Sequence, residues 1–295
     1  MALTVQTNIS SLTAQRDLRV ATNYGDDTVK KLASGSRINQ ASDDPANLQI
    51  SHKFTGQINC LDRANRNASE GQAVAELAQG ALAEDFSILQ RIRQLAIESA
   101  NGTYNQDDRD TMQNEVKELC NELTRVACKT TYGGSQLLNG TNNGIIDANG
   151  KLSLQIGANA NNTIEIDFST SFTMSSMYDA LGGVANGNGY NEADKTFDIS
   201  SIDNAQSVLA NIDSYITLID QKRGEIGAVI NRLESTVKNQ DSMIENESDT
   251  RSRIMDTDYA KETASLVQAN TMQNATNQMM LQANARPALV QSLLA

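Results

Sequence analysis

Ten positions in the second half of the chain constrain its fold more than anything else in the sequence. Ile212, Ile216, Ile219, Arg223, Ile226, Ile230, Leu233, Val237, Gln240 and Ile244 follow one another in alternating steps of four and three. That 3.5-residue rhythm is the seam of a left-handed coiled coil. A helix over that stretch spans about 48 Å, several times the usual helix length. Polar residues interrupt the seam only at Arg223 and Gln240, where they weaken it and can fix its register.

A seam that long needs partners, and the first half supplies them. Met112, Val116, Leu119, Leu123 and Val126 repeat the rhythm behind the helix-start signal "NGTYNQDD". Upstream, Phe54, Ile58, Leu61, Leu82, Phe86, Leu89, Ile92 and Leu95 mark an amphipathic segment from about Pro45 to Ala100. Proline behind "SDD" suits its first turn. Only two prolines, Pro45 and Pro287, interrupt anything. Residues 132–200 differ: "KLSLQIG" and "TIEIDFS" alternate apolar and polar across "GANANN", which predicts a β-hairpin, and "DANGK" offers a second turn. "LGGVANGNGYNEADK" reads as loop.

The chemistry of an enzyme is missing from this frame. His52 is the single histidine, so no histidine-based triad or HExxH zinc motif can form, and beside Lys53 it reads as a solvated helix residue. No phosphate-binding glycine loop occurs. Asp256 and Asp258 in "MDTDYAKE" lack the glycine and terminal glutamate of a calcium loop and fit a helix start. Cys60, Cys120 and Cys128 are odd in number and unclustered, which predicts partly buried apolar residues rather than disulfides or a zinc site. No cofactor is expected. A net charge of −12 argues against nucleic acid, and the few basic residues of "KKLASGSRINQ" do not offset it. Neither a signal peptide nor an apolar run of membrane length is present, so the expected location is cytoplasmic or outside by an uncleaved route.

The ends remain to be placed. Leu266, Ala269, Met272, Ala275, Met279 and Ala283 step by three or four, and Leu3, Val5, Ile9, Leu12 and Leu18 have similar spacing. From Ser265 to Ala295 the one charge is Arg286, yet the chain finishes on Leu289, Val290, Leu293 and Leu294. A helix with so bare a polar face needs cover on several sides. The tail is therefore expected to be disordered in a monomer and helical in an assembly, beside other copies of the chain and its own first helix; the alternative is that it packs back onto its own domain.

Three stretches then carry a resemblance. "KLASGSRINQASDDPANLQIS", "LQRIRQLAIESANGT" and "SRIMDTDYAKETASLVQANTMQNA", in that order, resemble bacterial flagellin, polar flagellins above all. The likeness covers about residues 1–140 and 200–295. It implies a mainly α fold: a long antiparallel helical coiled-coil rod with a small β-hairpin region, and the N- and C-terminal helices paired. Residues 1–40 and 254–295 would form the polymerisation domain, 41–140 and 200–253 the rod, and 141–199 its small β part, with little or no outer variable domain. The implied function is a structural subunit of the hollow filament used for swimming, exported unfolded by the flagellar type III system without cleavage and located outside the cell.

The implied partners are other copies of the chain, an export chaperone at the C-terminal tail, hook-associated and cap proteins, and the vertebrate flagellin-sensing Toll-like receptor. No membrane insertion is implied. Polymer-core contacts fall on Leu3, Val5, Ile9, Leu12, Leu266, Met272, Met279, Leu289, Leu293 and Leu294, and the connector on Ser36, Arg37, Ile38 and Asn39. By motif match the receptor epitope is Arg91, Leu95 and Glu115; helix packing for Leu95 and solvation for the two charges explain the same residues equally well. Ser36 stands where the family's connector has leucine, Cys60 where polar flagellins have glycine, and Arg286 where a neutral amide is commoner. The alternatives are a hook–filament junction protein and a soluble secreted adhesin.

Overall fold

The computed structural model describes residues 7–140, 144–182 and 189–294, with side chains as far as 285. Helices dominate: α1 (Ile9–Ser34), α2 (Pro45–Ser99), α3 (Gln106–Lys129), α4 (Met174–Ala180), α5 (Ile202–Met255) and α6 (Tyr259–Leu294). Three antiparallel strand pairs lie between α3 and α5: β1 (Thr131–Tyr132) with β2 (Ser135–Gln136), β3 (Lys151–Gln155) with β4 (Thr163–Asp167), and β5 (Tyr190–Asn191) with β6 (Thr196–Phe197). The chain divides into two compact units, residues 1–58 with 245–295, and residues 59–244.

The helix ends follow from local chemistry. Asp44 accepts the Asn47 amide at 3.0 Å just before Pro45, so α2 begins where a ring-locked φ costs nothing. Asn105 and Asp108 form a reciprocal capping box on α3. Asp258 accepts the Ala260 and Lys261 amides at 2.9 and 3.2 Å and starts α6, the helix-start role expected of this acidic run.

In the unit of residues 59–244, Asn65 donates to Asp241 at 2.7 Å and Arg93 pairs with Asp213 at 3.2 Å. Equal steps back along α2 and forward along α5 mean that the two run antiparallel. Leu82, Leu89, Ile92 and Leu95 of α2, Val116 and Leu123 of α3, and Ile212, Tyr215, Ile219 and Ile226 of α5 join one buried cluster. The α5 seam shifts by one residue at its first polar position. Lys222 is buried and reaches Glu225 (3.0 Å) and Asp167 (3.6 Å), while Arg223 lies over the Phe86 ring at 5.6 Å. Both long side chains bury their stems; Arg223 also reaches Asp220 at 3.5 Å through Nη1, while its buried Nε has no partner among the described residues.

The expected hairpin is present in the expected strands. Leu152 faces Ile166 and Leu154 faces Ile164, and Ile164, Ile166 and Phe168 are buried. Gly71 of α2 lets this hairpin close in: a Cβ there would collide with Leu154 Cδ1. Asn67 donates to the Gln155 carbonyl at 2.9 Å, and Gln240 donates to that of Ile156. The second polar position in the α5 seam thus holds the hairpin onto the helices. "DANGK" turns the chain into β3, through Gly150 N–H to the Asp147 carbonyl at 3.0 Å. Part of "LGGVANGNGYNEADK" lies outside the described residues; its end forms β5.

The unit of residues 1–58 and 245–295 pairs α1 with α6. Asn8 Nδ2 donates to the Ala283 carbonyl at 2.8 Å, and Tyr259 Oη to the Leu32 carbonyl at 3.2 Å, again equal steps in opposite directions. The tail that was expected to need other copies for its order is helical here, with α1 covering one face. Cys60 departs from expectation: it is exposed, with Cys120 buried and Cys128 half-buried. The outward face of α2 sets its position.

Candidate functional site: an assembly surface on the terminal helix pair

The seam between α1 and α6 is built from small residues. On α1 it buries Ser11, Ala14, Ala21, Gly25 and Thr28; on α6, Ala269 and Ala283. A Cβ added to Gly25 would stand 3.4 Å from Gln273 Nε2 and 3.7 Å from the Ala269 Cβ, which measures how closely the helices approach. Polar clasps close the far end of the seam, where Ser11 Oγ donates to Asn284 Oδ1 at 2.7 Å.

With small residues inside, the large apolar ones face out. Ile9, Leu12, Val20, Tyr24 and Val29 are exposed on α1, as are Tyr259, Val267, Met272, Met279 and Leu281 on α6. Ile9 is 65% exposed, Val267 65% and Met279 63%, values far from those of core residues. A groove of about 550 Å³ opens between the helices, lined by Ile9, Thr13, Ala14, Asp17, Met279 and Ala283. From Thr263 to Ala285 no charged residue interrupts the outer face of α6. Large apolar side chains left exposed on both helices of the pair offer surface that a partner could cover.

Ile9, Leu12, Met272 and Met279 thus lie exposed on this surface and Leu266 is half-buried on it. Leu3 and Val5 lie outside the described residues. The side chains of Leu289, Leu293 and Leu294 do so too, although helix α6 runs through them. Sequence periodicity missed Val20, Tyr24, Val29, Val267 and Leu281. The signal for them was the row Ala14, Ala21 and Gly25, which marks a close seam and so relegates bulky neighbours to the outside.

The connector is a second clasp. Gly35, at φ 68°, ends α1 in the left-handed conformation that glycine adopts without strain. Its carbonyl accepts the Thr257 amide at 3.0 Å, Ser36 bridges Asp256, and the Arg37 amide donates to the Met255 carbonyl at 2.6 Å. The Arg37 guanidinium reaches the Ile254 carbonyl at 2.8 Å, and Ile38 is buried. Asn39 and Gln40 donate their amides to Asp43, which holds its carboxyl below the ordinary carboxylate range. The links from α1 to α2 and from α5 to α6 are therefore zipped by backbone hydrogen bonds, and Ser36 takes part through its backbone.

On α2 and α3, Arg91 pairs with Glu115 at 2.7 Å, both half-exposed. Leu95, the expected apolar member of that epitope, is 2% exposed and belongs to the core cluster instead. It sits on the inward stripe of α2 with Leu82, Leu89 and Ile92, so it cannot present its side chain to a partner. His52 is exposed. Among the described residues no group of His, Cys, Asp and Glu could hold a metal, and no helix is long and apolar enough to cross a membrane.

The profile of the bacterial flagellin N-terminal helical region matches residues 5–143, and that of the C-terminal helical region matches residues 209–294. The chain belongs to the flagellin family. It is 37% identical to a flagellin of Halalkalibacterium halodurans, covering 97% of this chain and 98% of that one. It is 31% identical to polar flagellin F of Vibrio parahaemolyticus, in an alignment of 384 residues that takes in all of both chains. That alignment is longer than this chain, as expected for a compact member of the family. The fold is also similar to that of a putative flagellar hook-associated protein from Vibrio parahaemolyticus: TM-score 0.55, 14% identity, 72% of this chain and 100% of that one. Flagellins are structural proteins rather than enzymes, and this chain is a subunit of the extracellular flagellar filament.

Proposed function

We propose that filament growth buries the outer faces of α1 and α6 against the same faces of neighbouring copies. The observation that carries this is the inverted packing of the pair, with Ala14, Ala21, Gly25 and Ala269 inside and Ile9, Leu12, Val267, Met272 and Met279 outside. Burying a side chain of that size stabilises by about 1.5–3 kcal/mol. A few such residues per interface, repeated along a helical lattice, suffice to hold a polymer.

The chain leaves the cell unfolded through the flagellar type III channel. A seam of small residues supports this, because it stores little burial energy to undo before threading. The charge-poor tail from Thr263 to Ala285 is the segment an export chaperone would cover, and the same terminal pair meets hook-associated and cap proteins at the ends of the filament. Residues 1–40 and 254–295 serve as the polymerisation domain, 41–140 and 200–253 as the rod, and 141–199 as its small β part. Arg91 and Glu115, exposed on the rod, are the residues a Toll-like receptor would read; Leu95 supports them from beneath.

Purified protein seeded with short filament fragments and viewed by negative-stain microscopy tests the assembly reading. Elongation of the seeds is expected. Protein that stays monomeric while the seeds remain intact overturns it and favours a hook–filament junction protein or a soluble adhesin.

A further inference from the structure

Asp85 occupies a core position in α2. It lies on the inward stripe between Leu82 and Leu89, has 0% exposure, and neither carboxylate oxygen has a hydrogen-bond partner among the described residues. An ion there would lose its hydration and receive nothing in return, whereas the neutral acid costs only the loss of its hydrogen bonds.

The charges that act on it, from its own helix and from α3, oppose ionisation. On its own helix the neighbour is Glu84, and from α3 it faces Glu122, which stays charged because Arg125 binds it at 2.6 and 2.7 Å. Cys120 of α3, in the same buried cluster, is a neutral thiol pushed up to about 12 by burial. Two buried or half-buried cations of α5 are paired with other carboxylates, Lys222 with Asp167 and Glu225, and Arg223, which lies over Phe86, with Asp220 at 3.5 Å. Burial first, then Glu84 and Glu122, raise the Asp85 carboxyl to about 8.

We propose that Asp85 is a proton-operated switch in the rod: neutral, it packs as a core residue of α2 against α3; ionised in mild alkali, it stays in the seam only by admitting water or a cation and so loosens that packing. The sign follows from linkage. The unfolded chain releases this proton near the ordinary value of 3.8 and the folded chain near 8, so between those values the folded state holds one proton more. Stability from this group is therefore full at low pH, falls as pH rises through that window, and is level above it.

Asp85→Asn keeps the shape and removes the ionisation. Urea unfolding of the full chain and of this variant is compared from pH 5 to 9. The ratio of their folding constants should rise in favour of the variant by up to about tenfold per pH unit until about pH 8, then flatten. Infrared spectra of the wild-type chain give a readout that needs no variant. A protonated-carboxyl band should persist at pH 7 and vanish as pH passes 8. A pH-independent ratio, or no such band at pH 7, overturns the proposal.

Discussion

Gly25→Ala is the sharpest probe of the small-residue seam, because its two effects oppose each other and the geometry decides between them. Glycine inside a helix costs about 0.5–1 kcal/mol relative to alanine, so the substitution should strengthen α1 by that amount if the new methyl group fits. The new Cβ would stand 3.4 Å from the mobile end of Gln273 and 3.7 Å from the Ala269 methyl, both ordinary contact distances. The steric term is therefore near zero and propensity prevails. A net gain close to 1 kcal/mol slows local opening about fivefold, which amide hydrogen exchange across residues 9–34 reads directly. Gly25→Leu should reverse the sign, since its further carbons enter space held by Ala269 and Gln273 and overpacking costs about 1–3 kcal/mol. Faster exchange in Gly25→Ala would refute the reasoning by showing that the helices lie closer than these distances allow.

Three further substitutions test separate parts of the account. Asn105→Ala removes the side-chain half of the α3 capping box, the acceptor of the Asp108 amide, and should destabilise the chain by about 0.5–2 kcal/mol, read as a lower urea midpoint. Gln240→Leu leaves the Ile156 carbonyl without its buried donor; a loss of about 1–3 kcal/mol is expected, with faster exchange in the β3–β4 hairpin. Arg91→Ala breaks a half-exposed ion pair and should change the unfolding free energy from urea titration by less than about 1 kcal/mol. The same variant should lose response in a Toll-like receptor reporter assay, and a full response would refute Arg91 as an epitope residue.

The long helices and the main hairpin were legible because period and burial agree in them. Ile212, Ile219, Ile226 and Leu233 are buried where a 3.5-residue seam puts them, and Leu152 faces Ile166 where alternation puts it. Other features depend on contacts that no local window contains. The two-residue strands β1, β2, β5 and β6 carry no period of their own. The α5 seam turns to Lys222 because Asp167 of β4 is there to meet it. The terminal helices show most clearly why apolar periodicity falls short. It selected Leu12, and on α6 it selected Met272 and Met279 together with Ala269 and Ala283; close approach keeps only the smallest, so Ser11, Ala14, Ala269 and Ala283 took the seam. Asp85 was illegible for a related reason, since a carboxylate at an inward position reads as an interruption until its burial and lack of partners are known.

The central claim is that the outward apolar side chains of α1 and α6 drive assembly without holding the single chain together. Met279→Glu, at a position 63% exposed in the single chain, tests it most directly when the rate of seeded filament elongation is measured beside the far-ultraviolet circular dichroism of the monomer. The account predicts unchanged monomer helicity and abolished elongation, because each added copy would bury a charge that has no partner. Elongation at the wild-type rate would contradict it.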